Sequence, residues 1–187
     1  MTSVIADRIR ESIDVKERIL SDEEIITKIQ KAGEIIRDAI GNGNKVLLCG
    51  NGGSASDSLH IAGEFVGRFQ KERESLPAIA LNADVASLTS IANDYGYEHV
   101  FERAVEGYGK PGDVLLGIST SGNSENVILA MKKAREKGVS TIGLSGRNGG
   151  KMDALADVSI VVPSDCTARI QESHIMIGHI ICELAEE

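Results

Sequence analysis

Tryptophan is absent from this chain, and with three Phe and three Tyr the aromatic content is only 3%. The core must therefore be aliphatic, built from Ile, Leu, Val and Ala. Proline is also scarce, three residues against twenty Gly, which points to tight turns and not to disordered linkers. The three Cys (Cys49, Cys166, Cys182) are scattered without any C-x-x-C spacing. That argues against a disulfide framework or a thiolate zinc site and fits a reducing, cytoplasmic setting. No apolar run approaches the roughly 18 residues that a membrane span needs, so no membrane partner is expected. The N-terminal MTSVIADRIRESIDVKERIL carries charge throughout, unlike a signal peptide. Basic residues are outnumbered, 20 Lys and Arg against 28 Asp and Glu, and they form no run. No nucleic-acid partner is expected from such a surface. A phosphate can still bind, through locally placed backbone N–H groups and hydroxyls.

What is present suits one α/β domain of 187 residues with 42% hydrophobic content. Residues 1–42 read as an N-terminal helical arm and 45–187 as the core. In the arm, Ile5, Ile9 and Ile13 mark one helical face and Ile25, Ile29, Ile36 and Ile40 another. A break near Ser21-Asp22 offers an N-cap. These faces pack either into the core or against another subunit. Strands are expected at 45–49, 77–81, 113–118, 139–144 and 158–162. Helices are expected up to about Phe69, over 84–92 and 98–107 around an Asn93-Asp94-Tyr95-Gly96 turn, over 126–138, and from Thr167 to the end. Strands alternating with helices imply an open parallel five-stranded sheet covered by helices on both faces.

Two segments echo each other. VLLCGNGGS (46–54) and VLLGISTSGNS (114–124) both run strand, small-residue turn, helix. In an open α/β sheet ligands sit outside the carboxyl ends of strands, so two such turns can converge on one ligand. The first turn matches G-x-G-x-x-[GA], but a dinucleotide site also needs an acidic ribose anchor ending the second strand. Glu72 and Glu74 fall at the right distance but in a charged loop before that strand. The P-loop lysine is missing. Ser119-Thr120-Ser121-Gly122-Asn123-Ser124 places four hydroxyls at a helix start. An N-cap needs one; four suit a phosphate monoester held at the positive end of a helix dipole.

Near these turns lie groups able to move protons. His60 and Glu64 share a helix face at i,i+4, a spacing also common in ordinary surface contacts. On the last helix, Gln171 and His179 stay within roughly 80° of each other at about 100° per residue. His174 points away from His179 and reads as a polar residue at a helix face or interface. His99 reads as a surface or helix-start residue.

Taken together, CGNGGSxxDSLHxAxE, the Asn93-Asp94 turn, VLLGISTSGNS and the terminal ARIQExHxxxxH resemble SIS (sugar isomerase) domains, and among them the bacterial phosphoheptose isomerases. The likeness spans nearly the whole chain in order. It implies an SIS fold and a homotetramer with active sites between subunits. It implies isomerisation of sedoheptulose 7-phosphate to the aldose D-glycero-D-manno-heptose 7-phosphate through an enediol, feeding heptose for lipopolysaccharide or related surface polysaccharides. The resemblance further implies a Zn²⁺ site from His60, Glu64, Gln171 and His179, with Glu64 and His179 as catalytic acid/base pair. It implies substrate contacts at Asn51, Gly52, Gly53, His60, Glu64, Asn93, Asp94, Ser119, Thr120, Ser121, Ser124 and Gln171. The alternative is a non-catalytic SIS protein that binds the replication initiator. That group keeps similar turns but lacks the counterparts of Glu64 and His179, both present here.

Overall fold

The computed structural model describes residues 3–187. Two helices lead, α1 (Val4–Ser21) and α2 (Glu23–Gly41). Asp22 separates them: its carboxylate accepts the N–H groups of Glu24 and Ile25, capping α2 as its position suggested. The remainder alternates as β1 (Val46–Gly50), α3 (Gly53–Val66), β2 (Ala78–Ala80), α4 (Val85–Tyr95), α5 (Val100–Tyr108), β3 (Val114–Ser119), α6 (Glu125–Glu136), β4 (Ser140–Gly146), β5 (Val158–Val162) and α7 (Thr167–Ala185). The five strands pair in parallel in the order β2-β1-β3-β4-β5.

Strand periodicity decides the two faces of the sheet. Val46 and Leu48 of β1, with Val114, Leu116 and Ile118 of β3, point into a core shared with α1, α2, α3 and α7. Leu47, Cys49 and Leu115 point the other way, into a core with α5 and α6. Helices therefore cover both faces, as expected for an all-parallel sheet.

Two sequence expectations shift. Asn93 and Asp94 are not in a turn but in the last turn of α4, which runs on to Tyr95 before Gly96 breaks it at φ 101°. The helix expected from residue 98 opens as a 3-10 turn, Tyr97–His99, with α5 following. The arm splits by helix. Ile25, Ile29 and Ile36 of α2 are buried in the core, whereas Ile5, Ile9 and Ile13 of α1 stay 71%, 55% and 48% exposed. Val15 and Ile19, near the end of α1, are its core contacts.

Candidate active site

Strand order places the site. The chain passes from β1 outward to β2 and then returns across β1 to begin β3, so the connections leaving β1 and β3 diverge and open a crevice at their carboxyl ends. Both small-residue turns emerge there. They are joined by a paired amide contact: Asn51 Nδ2 donates to Asn126 Oδ1 and Asn126 Nδ2 donates to Asn51 Oδ1, each at 2.9 Å. The Tyr97 hydroxyl adds a 2.9 Å donation to Asn51 Oδ1. The Asn51 side chain thus ties the turns together.

The β3 turn has the form of an anion cradle. Ser124 occupies the N-cap of α6 but makes no capping bond with its side chain. Its hydroxyl instead lies 2.8 Å from that of Ser119, at the buried end of β3. The ordinary N-cap reading therefore fails for Ser124; among the first N–H groups of α6, that of Val127 is taken instead by Asn126 Oδ1 at 3.0 Å. The Ser121 hydroxyl accepts from Asn123 N–H at 3.1 Å. Gly122 sits at φ 64°, and a Cβ there would collide with the Gly149 carbonyl. On the β1 side, Gly52 at φ 57° starts α3 without any side-chain cap. Asn93 Nδ2 donates to Asp94 Oδ1 at 2.8 Å, and among the described residues these two side chains make no other side-chain bond.

A second cluster forms where α3 and α7 run side by side. His60 Nε2 is 3.0 Å from Glu64 Oε1 and 3.3 Å from His179 Nε2. One ligand atom from each residue falls within 4.8 Å of the others. Two imidazole nitrogens facing one another beside a carboxylate suit a shared cation. With Zn–N bonds of about 2.0–2.1 Å, neighbouring nitrogens on a tetrahedral zinc stand about 3.3 Å apart. The donor set also matches zinc preference. Gln171 does not join this cluster within the chain. Its amide packs on Gly53, where any Cβ would overlap it. Eight residues of helix separate it from His179, about 12 Å of rise.

Several neighbours of these residues were not singled out as site residues in the sequence. Asp57, one turn before His60, has its carboxyl pushed up to about 6 by burial, with the His60 charge opposing. Its Oδ2 has no hydrogen-bond partner among the described residues. Asn126 and Tyr97 follow recognisable motifs, but only folding brings them to Asn51. His174 is not at a polar helix face. It is fully buried, with Nε2 3.0 Å from the Ser145 carbonyl. His99 sits at the start of α5, with Nδ1 2.7 Å from Glu102, as expected.

The SIS domain family model matches residues 9–146. A phosphoheptose isomerase from Clostridium acetobutylicum is 55% identical over 187 residues, covering 100% of this chain and 95% of that protein. One from Aneurinibacillus thermoaerophilus is 54% identical, covering 100% and 94%. Among solved structures, a phosphoheptose isomerase from Neisseria gonorrhoeae superposes with a TM-score of 0.91 at 43% identity, covering 97% of this chain and 96% of the other. The fold and the phosphate-type turns define an SIS domain. The chain belongs to this family and, within it, to the phosphoheptose isomerases.

Proposed function

We propose that the protein isomerises sedoheptulose 7-phosphate to D-glycero-D-manno-heptose 7-phosphate through an enediol. The observation that carries this reading is the meeting of Glu64 and His179, with His60, in one cluster. A binding protein has no need of a matched carboxylate and imidazole at that point. The Ser119–Ser124 turn holds the phosphate through hydroxyls and N–H groups. Glu64 takes a proton from one of C1 and C2 and returns it to the other. His179 exchanges the proton of the adjacent oxygens. His60, Glu64 and His179 would hold zinc, which when bound supplies Lewis-acid polarisation of the carbonyl and enediol oxygens.

The spacing favours a shared site. Glu64 lies eleven residues beyond Gly53, about 16 Å of helical rise, and Gly53 stands in the β1 turn that Asn51 and Asn126 tie to the phosphate turn. The six C–C bonds of a heptose, about 1.5 Å each, extend roughly 8 Å. A homotetramer with sites between subunits resolves this: phosphate turn and Glu64 come from different chains, and Gln171 reaches the zinc of a neighbour. The exposed Ile5–Ile9–Ile13 face supports such an assembly. We take residues 1–187 as one SIS domain, since α1 and α2 share a core with the sheet. No helix among the described residues is long and apolar enough to cross a membrane. A cytoplasmic enzyme supplying heptose for lipopolysaccharide or another surface polysaccharide completes the reading.

The test is NMR of the protein with sedoheptulose 7-phosphate and added zinc. Aldose signals should grow with wild type and fall about 10²–10⁴-fold with Glu64→Gln. Conversion by Glu64→Gln at the wild-type rate would remove Glu64 as the base. No conversion by folded, zinc-supplied wild type would overturn the isomerase reading.

A further inference from the structure

Both helices that carry the cluster end on one buried ion pair. Glu186 follows α7, and its side chain is 1% exposed. Its carboxylate accepts the backbone N–H groups of Phe69 at 2.9 Å and of Gln70 and Lys71 at 3.0 Å, and Arg73 Nε at 2.9 Å. Burial alone would raise its pKa; these donors outweigh burial and hold it at about 2. Glu186 therefore stays charged throughout the working range.

Arg73 directs its other donors at the end of α3. Nη2 donates to the Glu64 carbonyl and Nη1 to the Phe65 carbonyl, both at 2.9 Å. A helix leaves its last carbonyls without partners, and a cation there complements the negative end of its dipole. Arg73 so fixes the backbone of the residue read as the base. Between the two anchors, Phe69 lies on the His179 ring, with centroids 5.3 Å apart and planes 22° apart.

We propose that Glu186 and Arg73 are positioning residues: together they clamp the segment after α3, fix the Glu64 backbone and press Phe69 onto His179 so that base and imidazole face one another. This deepens the isomerase reading and rests on it for its kinetic arm. Neither residue touches substrate; both act through Glu64, Phe69 and His179. A purely structural ion pair would stabilise the fold without setting the His179 ring.

The test uses full-length protein with zinc added, as wild type, Glu186→Gln and Phe69→Leu. Two quantities are read: kcat and KM for sedoheptulose 7-phosphate, and the His179 ring-proton resonances, assigned by their loss in His179→Gln. Glu186→Gln should lower kcat at least about tenfold with KM within about twofold. The His179 resonances should move toward those of Phe69→Leu as the ring-current shift is lost. Wild-type kcat in folded Glu186→Gln would overturn the proposal. So would a fall in kcat with unmoved His179 resonances, which marks a structural role only. If Glu186→Gln does not fold, Phe69→Leu decides, because it leaves the ion pair intact: unchanged kcat overturns the proposal, and a tenfold loss at constant KM supports it. If wild type converts no substrate, the isomerase reading fails separately. The resonances then judge the clamp, with a shift in Glu186→Gln supporting it and none overturning it.

Discussion

His60 and His179 are 119 residues apart in the chain, yet their Nε2 atoms stand 3.3 Å apart. Two neutral imidazoles in that arrangement present lone pairs to one another unless one donates a proton or a cation lies between them. Zinc should therefore bind in a way that needs both rings. Dialysis against EDTA should abolish turnover and zinc add-back should restore it. His179→Ala should lose tight zinc binding by calorimetry, and undiminished affinity would remove it as a ligand. His174, on the same helix, is governed by burial instead, which lowers its pKa from 6.5 to about 4 against the opposing hydrogen bond to Ser145. Between those values the unfolded chain binds the extra proton. Its contribution is complete above pH 6.5 and is lost progressively as pH falls toward 4, by about 3 kcal/mol at most. His174→Gln should flatten that part of the fall in Tm, measured by thermal melts across the window. An unchanged slope would assign acid sensitivity elsewhere.

At the scale of elements, the β3 turn and α6 act as one unit. Ser119 and Ser124 bond to each other, and the Ser124 side chain makes no capping bond to α6. A bound phosphate would take hydrogen bonds to a charged acceptor, each worth about 1.5–3 kcal/mol. Ser121→Ala combined with Ser124→Ala should raise KM about tenfold or more, with a smaller change in kcat. Steady-state kinetics that show unchanged KM would rule out the cradle. The strand-turn-helix order of this unit was legible because a run of buried aliphatics, a hydroxyl-rich turn and a helical pattern are all local. The Asn93-Asp94 segment reads locally as a turn for the same reason, yet it lies in the last helical turn of α4. Turn-prone residues are also tolerated in a final helical turn, and here Gly96 is the residue that ends α4.

For the whole molecule, the exposed Ile5, Ile9 and Ile13 form a continuous face on a helix that otherwise meets the core through Val15 and Ile19. In a tetramer that face would be covered. Ile9→Glu combined with Ile13→Glu should shift the protein to smaller species in light scattering after gel filtration, and lower activity with it. A variant that keeps the wild-type molar mass would place the interface elsewhere. The formal net charge of −8 makes salt a useful control, since like-charged subunits associate more readily when screened.

Local order is what the amino-acid sequence carries. Apolar runs marked every strand, helical spacing marked nearly every helix, Asp22 announced its cap, and the hydroxyls of the Ser119–Ser124 turn stood out as a candidate anion site. His60 and Glu64 could be paired because helical spacing is a short-range rule. Packing decided the rest. Which α3 residues Gln171 and His179 meet depends on how α7 lies along α3, and parallel packing of those helices sets Gln171 beside Gly53 and His179 beside His60. His174 is buried because the turn of α7 that bears it faces β4, a relation no window of sequence contains. The meeting of Glu186, Arg73 and Phe69 with both site helices spans more than a hundred residues. Such contacts arise from burial and donor geometry after the helices dock, and the distance along the chain does not encode them.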